Sequence, residues 1–296
     1  MKCKRIVSML LCSCMLLFGF AGCGSDLTTA STAPGSSVAA GSAQPGTAAA
    51  ETGKPTPAPQ PEQNDIPAAP QSTLPQGEKY MALTFDDGPT GNEGGRTERL
   101  LDELKQRGVH ATFFLCGYRI RDFHSTMMRY LDEGHEIGNH TTDHIRLDIE
   151  TSDGGYAQVS ETNDLIASYT GQKPTLMRPT GGAYNDAVIS SMKQLGLPII
   201  LWNVDAQDWK EHDDAAFIQQ RIVENARDGA IVLEHDLYEA TIEGVLAAID
   251  ELQAQGYAFV TVSELAQIKG VTLEPGKVYS GFTPDDTVVE SGANYS

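Results

Sequence analysis

Asp86-Asp87-Gly88 puts two adjacent carboxylates directly after the mostly apolar run 80–85, and Gly88-Pro89-Thr90-Gly91-Asn92 then turns the chain. Carboxylates at the carboxyl end of a buried strand stand where α/β folds place their chemistry. The bland alternative is an Asx-type turn in a solvated loop. A second cluster follows another strand-like run, Asn139-His140-Thr141-Thr142-Asp143-His144. Two imidazoles four residues apart project to one side if that segment coils into a helical turn. With a carboxylate nearby they suit zinc or a similar divalent ion. A His pair alone in a polar loop means little, but this pair and Asp86-Asp87 both end strands on one rim. Two nitrogens and one oxygen leave a coordination position open for water, as a hydrolytic metal centre needs.

Three more polar stretches close apolar runs. Arg178-Pro179-Thr180-Gly181-Gly182 offers a guanidinium for a rim carboxylate, and glycines whose backbone N–H groups stay accessible to an anionic transition state. A structural arginine in a surface loop is the alternative. Asp205-Ala206-Gln207-Asp208-Trp209 and Leu233-Glu234-His235 stand at two further strand ends. Trp209 as plain core is the alternative, against which the residues beside it are too polar. Cys116, the one cysteine of the body, lies in the apolar run 111–116 and reads as a buried inert thiol.

These clusters need a frame to hold them. Strand candidates are 80–85, 111–115, 136–139, 175–178, 199–203, 230–233 and 257–261. Between them lie segments of helical period: 96–107 aligns Leu100, Leu101 and Leu104, 213–226 aligns Ile218, Ile222 and Val223, and 241–255 aligns Val245, Ile249 and Leu252. Glycines 108, 134, 171, 196, 229 and 256 stand where several of these helices should stop. Alternating strands and helices predict an α/β fold with about seven parallel strands, closed into a distorted, partly closed (β/α) barrel.

The N-terminal quarter has another texture. Lys2, Lys4 and Arg5 precede an apolar core at 6–20, which is short for a membrane span, and Phe20-Ala21-Gly22-Cys23 follows. Residues 1–23 resemble a signal peptide with a lipobox and make Cys23 the lipidation candidate; Phe20 departs from the usual Leu of that motif. Residues 24–78 hold nine of the fifteen prolines and no aromatic residue, a composition that cannot bury enough surface to fold. As a flexible linker they would span about 40 Å, enough to reach from a membrane into wall material. Of the formal charge of −19, residues 1–78 carry only −1 (four cations against five anions), leaving −18 on 79–296. So acidic a body repels phosphate backbones, and nucleic acid is excluded as a partner. Residues 269–296 carry no second-domain pattern: 278–282 is expected to pack back on the barrel, and the last dozen residues read as disordered.

Five stretches, in order, resemble the polysaccharide deacetylase family (NodB-homology domain, carbohydrate esterase family 4). They are Thr84-Phe85-Asp86-Asp87-Gly88, the His140 and His144 segment, Arg178-Pro179, the Asp205 to Trp209 stretch, and Leu233-Glu234-His235. The similarity covers about 79–268. It implies a divalent metal, usually zinc, and removal of acetyl groups from sugar polymers. Carried across, Asp86 is the general base, and Asp87, His140 and His144 are the metal ligands. Arg178 holds Asp86, the Gly181 N–H binds the oxyanion, and His235 is the general acid oriented by Asp208. Leu233 and Trp209 line the acetyl pocket. The family often has an aromatic residue where Gly181 stands, so this wall should be more open. The leading reading is an N-deacetylase of peptidoglycan, lipid-anchored outside the cell membrane and facing the wall. An O-acetyl polysaccharide esterase of xylan type or a chitooligosaccharide deacetylase is the alternative, and a non-catalytic wall-binding module the third.

Overall fold

In the computed structural model, the described residues are 74–286 apart from 92, 93 and 122. They lie in the second of two compact units, Ile66–Ser296. The expectations for the leader, for Cys23, for most of the linker and for 287–296 fall outside the described residues.

The strands are β1 (Lys79–Asp86), β2 (Thr112–Leu115), β3 (Glu136–Asn139), β4 (Ile199–Ile200), β5 (Val204–Asp205), β6 (Ile231–His235), β7 (Tyr257–Phe259) and β8 (Val278–Tyr279). Six form one parallel sheet in the order β3-β2-β1-β6-β5, with β7 pairing the first residues of β1; β4 and β8 form a parallel pair. The helices are α1 (Arg96–Gln106), α2 (Gly117–Ile120), α3 (His124–Asp132), α4 (Leu147–Glu150), α5 (Tyr156–Thr170), α6 (Asp186–Leu195), α7 (Ala215–Glu224), α8 (Glu239–Ala254) and α9 (Val262–Ile268).

Strand alternation decides what faces what. In β1, Met81, Leu83 and Phe85 enter the core shared with Leu100, Leu101 and Leu104 of α1 and Val245, Ile249 and Leu252 of α8. Phe85 stacks on Phe113 of β2 at 5.1 Å. Ala82 joins Phe114, Ile200 and Ile231 in a second cluster, and Thr84 and Asp86 receive a guanidinium hydrogen from Arg178. At their C-terminal ends α5 and α6 stop on Gly171 and Gly196, which take left-handed backbone that a Cβ would resist.

Two expected strands change form. Residues 175–178 contribute only single parallel bridges, from Met177 to Asn139 and to Ile199. Pro174 and Pro179 bracket this segment and lack the N–H a longer ladder needs. The expected strand 199–203 is split: β4 pairs β8, the chain shifts at Leu201, Trp202 and Asn203, and β5 pairs β6. The shift occurs where the carbonyls of Ile200 and Leu201 accept from Arg178 instead of from a neighbouring strand. At the other end, 278–282 does pack back. Tyr279 is buried, and Phe282 N donates to Gly229 O at 2.8 Å.

Gly138 of β3 lies opposite Phe114 in the β2–β3 register, and a Cβ there would fall 2.4 Å from the ring. Its backbone is not left-handed, so Gly138→Ala tests packing alone. It should lower stability by about 1–3 kcal/mol through overpacking, read as a lower urea midpoint; an unchanged midpoint would show that the β2–β3 layer can give way.

Candidate active site

Asp86 ends β1 as a buried side chain, and at Asp87 the backbone turns left-handed (φ 70°), sending consecutive carboxylates to different partners. Asp86 Oδ1 accepts from Arg178 Nη1 at 2.7 Å, and Asp86 Oδ2 lies 3.7 Å from His140 Nε2. Asp87 Oδ1 lies 3.3 Å from His140 Nε2 and 3.0 Å from His144 Nε2.

The imidazoles do not meet through a helical turn. Residues 140–144 form a loop in which Thr141 (φ 72°) and His144 (φ 55°) are left-handed. Thr141 N donates to Asn139 Oδ1 and His144 N to Thr141 Oγ1, so short polar side chains replace the helical bonds. His140 Nδ1 is 2.8 Å from the Arg178 carbonyl, which can only accept. That bond fixes the tautomer with the proton on Nδ1 and leaves the Nε2 lone pair facing the carboxylates.

Arg178 is fully buried, and its guanidinium donates to four oxygens: Asp86 Oδ1 and Thr84 Oγ1 at 2.7 Å each, Ile200 O at 3.1 Å and Leu201 O at 2.9 Å. It also lies 4.2 Å from the Phe114 ring centroid. Burial pulls its pKa down, against the pull of Asp86. Sequence reasoning named Arg178 but missed Thr84 and Asn139. Their signal was a polar residue inside or ending an otherwise apolar strand.

Asp86 and His235 are paired residues on neighbouring strands, because β1 and β6 are in register there. His235 Nδ1 is 3.0 Å from Asp208 Oδ1, and its backbone N donates to Asp208 Oδ2 at 2.7 Å. Asp208 is fully buried and also accepts from Thr241 Oγ1 and from its neighbour's amide at Trp209. An Asx turn at Asp205, with Gln207 left-handed, carries Asp208 back under β6. Burial pushes the His235 pKa down, but the Asp208 hydrogen bond and charge outweigh it and raise it to about 9. Asp236, the next residue, is buried, and burial lifts its pKa to about 6. Glu234 is fully buried with no partner for either oxygen, and burial pushes its pKa well above its ordinary value.

Leu233 is buried on β6, whereas Trp209 is half exposed (52%) and is not core. Gly181 is exposed and left-handed (φ 64°), in a turn closed by Gly182 N to Pro179 O and Ala183 N to Thr180 O. The Gly181 N–H takes no part in those two bonds.

The donor set of Asp87, His140 and His144 fits a divalent ion. One carboxylate oxygen and two imidazole nitrogens lie within 4.8 Å of one another, the mixed N/O set that zinc and its neighbours accept. Burial pushes the Asp87 carboxyl up, but hydrogen bonds and charge from both imidazoles overcome this and hold it well below its ordinary value. His140 is pushed down by burial and up by Asp86 and Asp87, with a net rise. A proton therefore competes with a metal for this site.

A family model described as polysaccharide deacetylase matches residues 73–200. The chain is 40% identical over 201 residues to the peptidoglycan-N-acetylglucosamine deacetylase PgdA of Listeria monocytogenes, covering 68% of this chain and 41% of the relative. The chain thus spans about two fifths of that relative's length. It is 36% identical over 201 residues to a peptidoglycan-N-acetylglucosamine deacetylase of Bacillus cereus, covering 66% of this chain and 92% of the relative. Among solved structures, that of the peptidoglycan deacetylase PdaC from Bacillus subtilis superimposes with a TM-score of 0.61 at 39% identity, covering 65% of this chain and 92% of the other.

Elemental analysis of the purified protein should find one divalent ion per chain, removable by chelator. His144→Ala should weaken its retention about tenfold or more, and retention should fall as pH falls and His140 takes a proton. Full retention in a double His140→Ala, His144→Ala variant would rule out this site.

Proposed function

The chain belongs to the polysaccharide deacetylase family, and on that premise we propose that it is a metal-dependent hydrolase removing N-acetyl groups from the amino sugars of peptidoglycan. The observation that carries this reading is the register match of Asp86 with His235. It sets a carboxylate and a raised-pKa imidazole on adjoining strands, with the metal-type donor set beside the carboxylate. The names of the relatives supply the polymer.

A divalent ion, proposed here as zinc, would be held by Asp87, His140 and His144 and would supply Lewis acidity, lowering the pKa of water towards neutrality. Asp86 acts as general base. Its Oδ1 is engaged by Arg178, so Oδ2 is the oxygen that takes the proton from the attacking water. The Gly181 N–H donates to the oxyanion formed at the acetyl carbonyl. Leu233 and Trp209 flank the acetyl methyl. His235, with Nδ1 committed to Asp208, donates from Nε2 to the leaving nitrogen, which is too basic to depart as an anion.

Two structural proposals accompany this. The bridges of Met177 to Asn139 and Ile199, with Asn203 N donating to Ile231 O, support a distorted, partly closed barrel. The basic n-region, the short apolar core and Cys23 after a small residue support a lipid anchor on the outer face of the membrane. The linker would then keep the domain beside the wall polymer.

His235 is competent only while protonated, so the rate should be lost as pH rises through about 9, and at lower pH with the cation alongside. It should also fall at acid pH as the ligand imidazole of His140 takes a proton, giving a bell whose limbs belong to the coupled site. Asp208→Asn removes the charge that raises His235 and should move the alkaline limb down by roughly one unit or more. Asp86→Asn should nearly abolish turnover with metal content intact. His235→Ala should cost about a hundredfold or more on an N-acetylated substrate and less on an acetyl ester, whose alkoxide needs protonation less. Wild-type amide cleavage by His235→Ala would refute its role as the acid. Acetate release from peptidoglycan, chitin oligomers and acetylated xylan decides the substrate, and preference for xylan would transfer the reading to an O-acetyl esterase.

For the anchor, Cys23→Ala should shift the protein from the membrane fraction to the soluble or secreted one. Retention in the membrane would instead favour an uncleaved apolar segment.

A further inference from the structure

Both imidazoles of the metal-type donor set ride on one loop, 140–144, in which Thr141 and His144 are left-handed. Left-handed backbone is unfavourable for a residue with a Cβ, so contacts outside the loop have to hold this shape. His144 needs them most. Its side chain is 39% exposed, so packing does little to keep its Nε2 3.0 Å from Asp87 Oδ1.

The loop is gripped from two sides. At the start of α2, the amides of Gly117 and Tyr118 donate to the carbonyls of Thr141 and Thr142 at 2.9 Å each. On the other side stands α5. Gln158 Oε1 accepts from two consecutive loop amides, Thr142 N at 3.1 Å and Asp143 N at 2.9 Å. Only the oxygen of a carboxamide can face two N–H donors, so Nε2 turns to Asp143 Oδ2 and donates to it at 2.8 Å. Thr142 Oγ1 donates to the Gln158 carbonyl at 2.7 Å and lies 3.0 Å from Thr162 Oγ1, one helical turn further on. Val159 O and Asn163 Oδ1, on the same helix, each accept from Asn139 Nδ2 at 2.8 Å. The approach is close on both sides: a Cβ at Gly117 would fall 2.7 Å from Thr162 Oγ1 and 3.0 Å from Thr142 Cα.

Most of this grip is backbone or has a second partner beside it. The Gln158 carboxamide is the side chain that takes two loop amides at once, and all its bonds end on Thr142 and Asp143, which stand between the two imidazole ligands. Gln158 itself lies outside the five stretches on which the family resemblance rests. We propose that Gln158 is a positioning residue of the metal centre. By fixing the amides of Thr142 and Asp143 it sets His144 against His140 and Asp87, and so governs how tightly a divalent ion is retained. This rests on the metal-dependent reading above and extends its centre to α5.

The test reads metal binding separately from turnover. The zinc affinity of the full-length chain is measured by competition with a chromophoric chelator, beside the melting temperature of the metal-free chain. Gln158→Ala should weaken zinc about tenfold or more, the usual cost of losing an outer partner of a metal ligand. Asp143→Ala, which keeps both amide bonds, should weaken it far less. The double variant Asp143→Asn, Gln158→Glu exchanges donor and acceptor between the two side chains and should bind zinc nearly as the parent does. Should Gln158→Ala not fold, Gln158→Asn, whose carboxamide is drawn back by one methylene, carries the same expectation. Parental zinc affinity in Gln158→Ala overturns the proposal, whether or not the metal-free chain melts earlier, since a lower melting temperature alone marks a merely structural role. A double variant as weak as Gln158→Ala overturns it too, because these hydrogen bonds would then not carry the effect. If the parent binds zinc but releases no acetate from peptidoglycan, while Gln158→Ala still weakens zinc, the positioning role stands and the deacetylase reading falls.

Discussion

A guanidinium buried without water is costly, by several kcal/mol even after relaxation, unless its hydrogens and its charge are met. Arg178 meets that condition with four oxygens from two stretches of chain, Thr84 and Asp86 of β1, and Ile200 and Leu201 at the end of β4. The rest of the site follows from this arrangement. Asp86 Oδ1 is taken, so Oδ2 is the oxygen left for chemistry. The Arg178 carbonyl takes the Nδ1 proton of His140, so Nε2 is the nitrogen left for a metal. One residue therefore orients a general base through its side chain and a ligand through its backbone. The same bonds fall where the expected strand 199–203 is interrupted.

The two halves of the centre are held by different means. Asp86 and His235 sit on paired strands, where the spacing of neighbouring backbones fixes their separation. His140, His144 and Asp87 sit at or beyond strand ends, in left-handed turns that can be shaped residue by residue. Proton transfer depends steeply on distance, whereas a metal tolerates small adjustments of ligand angle and gains from a loop able to make them. Base and acid on the sheet, ligands on the turns, is the division these demands favour.

The sequence was readable where one residue type implies one environment. Carboxylates and imidazoles at the ends of apolar runs named the rim, and the α1, α7 and α8 periodicities appear within two residues of their expected bounds. It was unreadable where a distant partner decides local form. No pattern in 199–203 reveals that Arg178 will claim its carbonyls, and no spacing rule shows that 140–144 will turn through Asn139 and Thr141 instead of coiling. The short β8 lay in a stretch read as tail because a two-residue strand has no periodicity, only a partner in β4.

Charge distribution completes the logic. Within a body of −18, the centre gathers several carboxyls, yet each has a different fate. Asp87 is held ionised by the two imidazoles and Asp86 is paired with Arg178. Asp208 sits under His235, and burial raises the pKa of Glu234. If all were free and ionised, their mutual repulsion would demand counter-ions and blur any proton transfer. Partners and burial instead leave one carboxylate oxygen, Asp86 Oδ2, facing the metal-type donor set, and one imidazole, His235, carrying a proton at neutral pH. A base and an acid that coexist at one pH are what cleavage of an amide requires, since attack must lose a proton and departure must gain one. The fold achieves that pairing with residues adjacent across a single strand boundary.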